Sequence, residues 1–514
     1  MDSEKMKRVF FLILLIIISG FRYPQKGGEI RISINSKIKN LDPIKYLNDD
    51  EKIITKQIFE PLLRIDEKGN PLPNIITDWE INDTGITILV SFREDVRFHN
   101  GKKLDSKDVK FSIERFASPA IDSDKKWAFS MLKGFKEFSQ GKSSDISGIK
   151  IISNDKVIFE LIQPYTCFLQ VLSTEFGYVI PDKTENLNDP AQIIGCGPFM
   201  IEGLDEKNIK LTRNPYYFRG VPFIEKITFS FVKDVFDGLL KFELGDLDLY
   251  KIPYSELQRL KNDALWSQNI IEEDRLGFIF IGMNLRSKKI QNLSLRKAVF
   301  MAIDKADILK KVTQTRGEII DWIIPDMILN HPDKTGVDYN LLSARDIIYR
   351  EGLKPELTLM VVSDNLHLKN IAEIIRTQLK SIDISITVKE CYTEEFIQSL
   401  NDGKGDIFIF SFDTFLPHSD AVLFPLFHSS CINTGFNLFG FCDKRVDEIL
   451  NSERQGISNS GYVEVEKYIL NQYIILPLFK LQNFWVRQPY IENFYFKPFE
   501  GFSFESVWIL KGRK

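Results

Sequence analysis

Histidine and cysteine are both scarce, at five residues each in a chain of 514. His99, His331, His367, His418 and His428 form no HExxH or HxxxH pair, so the usual helical zinc arrangement is missing. There is no G-x-S-x-G nucleophile elbow and no GxxxxGK(S/T) phosphate loop. Beyond the N-terminus no stretch reads as membrane-spanning, and neither a sustained repeat nor a low-complexity linker is present. An excess of basic charge is also lacking. The 67 Lys and Arg against 71 Asp and Glu give a formal net charge of −4, which argues against a nucleic-acid binder.

The few cysteines leave little room for thiol chemistry. Cys196 lies between glycines in Gly195-Cys196-Gly197-Pro198, but a nucleophilic thiol needs an activating base, and the sequence places none beside it. The glycines fit better as a tight turn that brings backbone close to another element. Cys431 and Cys442 flank a turn-rich segment containing Asn433, Thr434, Gly435 and Gly440. A disulfide closing that loop and a pair of free buried thiols are both open readings. Cys167 and Cys391 complete the set, and an odd count leaves at least one thiol unpaired. His418 and His428 lack the carboxylate or thiol partners of a metal site. Neither a catalytic group, nor a metal, nor a cofactor is expected.

What is present begins with Lys5, Lys7 and Arg8, followed by the apolar run Val9–Ile18 and then Ser19 and Gly20. This is the layout of a secretory signal peptide over residues 1–21. No cysteine follows it to carry a lipid, and its retention as an anchor stays open. Ser106 is placed to cap a helix whose Val109, Ile113 and Phe116 share one face, and Ser294 to open another through Leu295, Val299 and Ala302. Asp304 reads as the N-cap of a further helix, with Asp307 at its third position. Leu357, Leu359 and Val361 alternate; Leu368, Ile371, Ala372, Ile375 and Leu379 follow a helical period; Ile384, Ile386 and Val388 alternate again. That is a βαβ unit, hence parallel pairing and an α/β lobe. The apolar run Ile407–Phe410 is another buried strand, ending in Ser411-Phe412-Asp413, and ligands of open α/β sheets bind beyond such strand ends.

In order along the chain, Leu41-Asp42-Pro43, Phe59-Glu60-Pro61-Leu62-Leu63 with Gly69 and Pro73, Val96-Arg97-Phe98-His99-Asn100-Gly101, Asp108-Val109-Lys110-Phe111-Ser112, Gly195-Cys196-Gly197-Pro198-Phe199, Arg213-Asn214-Pro215-Tyr216-Tyr217, Gly245-Asp246-Leu247-Asp248, Met283-Asn284 and Leu295-Arg296-Lys297-Ala298 with Ala302-Ile303-Asp304 form a series. In number, order and spacing it resembles the extracytoplasmic solute-binding proteins of the oligopeptide, dipeptide and nickel class of ABC importers. The resemblance implies an α/β, two-lobed periplasmic-binding-protein-like fold with a hinge and an inserted domain. The discontinuous first lobe would take 27–45, 182–271 and 483–514, the inserted domain 46–181, and the other lobe 272–482. It implies a receptor, not an enzyme, that captures short peptides in a closing cleft. It would deliver them, as a periplasmic or cell-envelope monomer, to permease subunits; a nickel chelate or other small solute is the alternative ligand.

In peptide-binding members a WxxDxxDP-like stretch supplies an Asp for the ligand's α-ammonium. Phe410 to Pro417 falls on that stretch, with Phe410 at the Trp position and Asp413 at the ammonium-binding one. Leu416 replaces the second Asp, and Phe412 and Phe415 replace small residues, which implies a tighter or more apolar pocket. Phe410, Phe412, Asp413, Gly195, Cys196, Gly197 and Asn284 are thus the expected ligand-binding residues. The Cys431/Cys442 pair also resembles a disulfide of dipeptide-type members.

Overall fold

The computed structural model of the chain describes residues 24–510, apart from 39, 46–47, 121–123, 185–186, 188, 190–191, 206, 314–316, 332–335, 364, 415 and 458–459. The signal-like segment 1–21, the basic tail 511–514 and Phe415 therefore lie outside the described residues.

The first half of the chain contributes β1 (Glu29–Ile34), β2 (Leu63–Ile65), β3 (Pro71–Pro73), β4 (Ile76–Ile81), β5 (Thr87–Phe92), β6 (Ile149–Ser153), β7 (Lys156–Glu160), β8 (Phe199–Leu204), β9 (Asn208–Arg213), β10 (Lys226–Phe231) and β11 (Leu249–Ile252). The second half contributes β12 (Ile270–Met283), β13 (Glu356–Val362), β14 (Ser385–Cys391), β15 (Ile407–Asp413) and β16 (Ile475–Arg487). Ten of these strands make one sheet in the order β14-β13-β15-β12-β16-β11-β1-β10-β9-β8, while β4, β5, β7 and β6 form a separate antiparallel sheet.

Two unusually long strands, β12 with 14 residues and β16 with 13, join the halves of the large sheet. The far end of β12 pairs with β15 from Gly277 to Met283, while its near end pairs with the Asn483–Val486 end of β16, which in turn pairs with β11. Their ladder shifts register between Asp274 and Phe278. A bulge bends a strand and increases its twist, so the crossing between halves is also where the sheet turns.

In β15, Ile407 and Ile409 enter one apolar cluster, while Phe408 and Phe412 enter another on the opposite face. A strand apolar on both faces is covered on both. The same holds for β13, whose Leu357, Leu359 and Val361 face one cluster and whose Met360 and Val362 face the other. The expected βαβ unit forms as β13, the helix Leu366–Lys380 and β14, with parallel register from Glu356↔Ser385 to Val362↔Cys391.

Two expected caps move. Asp105, not Ser106, caps Ser106–Ala117, because its carboxylate accepts from the backbone of both Lys107 and Asp108. Asn292, not Ser294, caps Leu293–Met301 by accepting from Leu295 N. Asp304 does accept from the backbone of Asp307, at 2.9 Å, at the head of Lys305–Thr313.

A further apolar cluster gathers Leu62 through Val179 around the small sheet. The helix α1 (Asp49–Ile58) falls within the bounds 46–181 expected for the inserted domain. Its Ile54 and Ile58 nevertheless pack, with Phe59, into the cluster of β1, β9 and β10. Those two isoleucines need an apolar floor, and the sheet of β1, β9 and β10 provides it, so α1 forms a wall on that sheet.

Candidate functional site

The helix α1 starts on a reciprocal cap: Asn48 Oδ1 accepts from Glu51 N and Glu51 Oε2 accepts from Asn48 N, both at 3.0 Å. It ends at Phe59, whose backbone is extended, two residues before Pro61. With Ile54 and Ile58 turned into the lobe, the spacing i, i+3, i+7 puts Asp49, Lys52 and Lys56 together on another face.

Gly195 and Gly197 hold the far end of this helix. Gly197 N donates to Ile58 O at 2.8 Å, satisfying a carbonyl the helix end leaves open. A Cβ on Gly195 would lie 2.0 Å from that same oxygen. The close backbone approach read from the two glycines is therefore real, and its partner is α1. His99 fastens the loop from the other side. It accepts from Gly195 N through Nδ1 at 3.3 Å, so Nε2 carries the proton toward Gly197 O at 3.2 Å. Burial lowers this imidazole to about 4. Cys196 is fully buried and burial drives its thiol far upward, which makes it an inert packing residue.

Asp413 ends β15 opposite Gly277 of β12. Its Oδ2 pairs with Arg275, whose guanidinium also reaches Asp49 Oδ2 at 2.8 Å. Lys251 stands 3.3 Å from Asp49 on the other side. Burial alone would raise the Asp49 carboxyl, but Arg275, Lys251 and Lys52 hold it well below the usual carboxylate range. Burial likewise opposes the charge on Arg275, and Asp413 with Asp49 more than restores it. Glu175, and then Asp413 and Asp49, raise the Lys52 ammonium against its own burial. Arg275 therefore spans two walls, α1 on one side and the β12–β15 ladder on the other.

Other expected ligand residues lie elsewhere. Phe410 and Phe412 alternate with Asp413 and so point to the opposite sheet face. There Phe410 stacks on Phe396 with ring centroids 5.5 Å apart, and Phe412 lies 6.0 Å from Phe278. They are packing residues of the aromatic cluster, not cleft residues. Asn284 is fully buried just past the far end of β12, where its amide donates to Leu400 O at 3.0 Å and Gly405 O at 2.9 Å. It ties the chain at Leu400 and Gly405 to the end of β12. Cys431 is buried and Cys442 exposed, and both are free thiols, so the expected bridge is not formed. Cys431 belongs to the aromatic cluster with Phe427 and Phe439, which turns it away from solvent.

His418 Nδ1 accepts from Asp420 N at 3.1 Å, and its ring packs edge-on against Tyr462. His428 hydrogen-bonds Ser430 and Asn451 and stacks on Phe424. Among the described residues no group of three or more His, Cys, Asp or Glu could hold a metal ion.

Sequence reasoning missed Arg275, Asp49, Lys52 and Lys56. The helical spacing of the α1 trio was readable, but a charged helix face ordinarily meets water. Nothing local announces that this one meets another lobe.

Residues 70–434 match the family model described as bacterial extracellular solute-binding proteins, family 5 Middle. The chain is 23% identical over 523 residues to the oligopeptide-binding protein AppA of Bacillus subtilis, covering 95% of this chain and 93% of that one. It is 21% identical over 525 residues to the nickel-binding periplasmic protein of Escherichia coli, covering 96% of each. The solved structure of Bacillus subtilis AppA in complex with a nonapeptide superposes with a TM-score of 0.77 at 19% identity, over 95% of this chain and all of the other. The mixed α/β architecture is thus the multi-domain fold of these binding proteins.

Proposed function

Since this chain belongs to the bacterial extracellular solute-binding proteins of family 5, we propose that it is the receptor of an ABC importer and captures a short peptide beside Asp413. The observation that carries this reading is the half-used carboxylate. Arg275 takes Oδ2, and among the described residues nothing hydrogen-bonds Oδ1. A carboxylate accepts at both oxygens, so a ligand ammonium can take Oδ1 without displacing Arg275. Gly277 leaves the space for it, because a Cβ there would stand 2.9 Å from Oδ1. A hydrogen bond between two charged groups in such a place contributes about 1.5–3 kcal/mol, enough to set which end of a peptide enters first.

The chain acts as a binding protein and not as a catalyst, exported by its N-terminal segment and working as a monomer outside the cytoplasmic membrane. Its lobes close on the ligand by bending at β12 and β16, and the closed form is what the permease subunits receive. Ligand drives closure only through its greater affinity for the closed state. Residues 27–45, 182–271 and 483–514 move as one body with α1, and 272–482 as the other.

Calorimetric titration of short peptides, each with a free and an acetylated N-terminus, tests the reading. Binding that needs the free amine and falls at least about tenfold in Asp413→Asn supports it. Equal binding of acetylated peptides, or an unaffected Asp413→Asn, overturns the ammonium role.

A further inference from the structure

Two half-buried rings meet over the crossing of β12 and β16. Tyr254 follows β11 at the head of the helix Tyr254–Asn262. It is fastened to β16: its hydroxyl donates to Gln482 O at 3.0 Å, and its ring packs edge-on against Phe484 with centroids 5.7 Å apart. His367 stands in the first turn of the helix Leu366–Lys380, which follows β13. The rings of Tyr254 and His367 stack with centroids 5.7 Å apart and planes 15° from parallel. In the large sheet β15, β12 and β16 all lie between β13 and β11, so this contact joins elements that are not neighbours. Burial lowers the His367 imidazole and no neighbouring charge offsets it, so the ring stacks in its neutral form. No hydrogen bond or ion pair to a described residue holds that ring, which leaves the stack as its directional contact among them.

The anchors of the two rings lie on opposite sides of the place where the sheet turns. Gln482 pairs with Asp274, before the register shift of β12. His367 rides on β13, which pairs with β15, and β15 pairs with β12 only from Gly277 onward. A bend between Asp274 and Phe278 therefore changes the separation of Tyr254 and His367 directly. Ring contact is short-ranged, and a gap of about 0.5–1 Å already forfeits a quarter to a half of the attraction. Burial raises the Tyr254 phenol, and Arg275 lies close enough to pull it back, so the stack neighbours the guanidinium that joins Asp49 to Asp413. We propose that Tyr254 and His367 form an aromatic latch across this bend, which holds the closed form together without touching the bound solute. The inference rests on the closure at β12 and β16 read above. Such a latch acts alike on every ligand: it slows release and leaves the choice of ligand to the surroundings of Asp413.

The test is pulsed dipolar spectroscopy of the full chain in a Cys442→Ser background, with spin labels at Leu244→Cys and Tyr349→Cys. Both positions are well exposed, and their helices pack into clusters on either side of the bend. Distances are measured without ligand and with a mixed library of di- to pentapeptides carrying free N-termini. Tyr254→Ala and His367→Ala are each expected to lower the ratio of closed to open form about threefold to tenfold. The double variant should lose no more than either single one, and Tyr254→Phe, which keeps the ring, should stay close to the wild type. Matching circular dichroism and melting temperature establish that the variants fold. Ratios unchanged in both conditions overturn the latch, as do losses that simply add in the double variant. A library that leaves the wild-type distances unmoved counts against the peptide reading instead, while the ligand-free distances still decide the latch.

Discussion

Gly277 and Asp413 face each other across the β12–β15 ladder so closely that a methyl group on the glycine would stand 2.5 Å from Phe412 O and 2.9 Å from Asp413 Oδ1. Gly277→Ala must therefore shift the strand end or the carboxylate. Expected are a loss of peptide affinity of about tenfold or more and a stability cost of about 1–3 kcal/mol, read by calorimetry and denaturant unfolding. Affinity unchanged in a folded Gly277→Ala would mean that the ligand does not approach Asp413 over this glycine.

The segment that follows β7 meets the second half of the chain at a buried ion pair. Arg454 Nε lies 3.1 Å from Asp420 Oδ2, with side chains 3% and 0% exposed, and Tyr165 donates to the same carboxylate at 3.4 Å. Arg454→Met strands a buried carboxylate and should cost about 3–5 kcal/mol. The double variant Arg454→Met, Asp420→Leu should recover much of that loss. A melting temperature that does not move in the single variant refutes the coupling.

His99 gives the fold an acid-sensitive joint. Its folded-state value of about 4 lies below the unfolded value near 6.5, so the folded state disfavours protonation. Its contribution is full above pH about 6.5 and is lost as pH falls toward 4, by an amount on the order of 2–3 kcal/mol. Chemical denaturation between pH 7 and 4 should show a steeper loss in the wild type than in His99→Gln, whose amide can still donate to Gly197 O. Identical slopes would place the acid limb elsewhere.

Thiol accessibility should divide the cysteines cleanly. Cys167, Cys196, Cys391 and Cys431 are buried and Cys442 is exposed. Brief alkylation of the native protein is expected to add one label, located by peptide mapping at Cys442 and absent in Cys442→Ser. A native protein that takes no label, but takes it after reduction, would show a bridge instead.

The parts of the fold legible from sequence were those where neighbours along the chain decide the outcome. The βαβ unit of 356–391 could be read because Leu357, Leu359 and Val361 alternate and Leu368 to Leu379 do not. The Gly195/Gly197 approach could be read because glycine tolerates what a Cβ forbids. Asp413 could be read only through its resemblance to a motif. By itself it is an acid after a strand, and Phe410 and Phe412 came along with it although strand alternation sends them to the other face. Arg275, Lys52 and Lys56 were hidden for a different reason. Their meaning comes from the meeting of elements more than 200 residues apart, and a charged side chain carries no local mark of what it will face. The caps moved by one or two positions because Asp105 and Asn292 compete with nearby serines for the same backbone donors.

The central place of β16 in the sheet has a consequence for how the chain is made. Trp485 packs in one apolar cluster with Ile30, Ile32 and Phe229, and Phe494, Phe502 and Phe504 join it there. The opening strand therefore waits for residues that follow it by more than 400 positions before its core is closed. During translation, at about 5–20 residues per second, β1 spends tens of seconds without that cover. A polypeptide arranged in this way keeps the core around its opening strand unfinished until Trp485 and the phenylalanines after it have emerged.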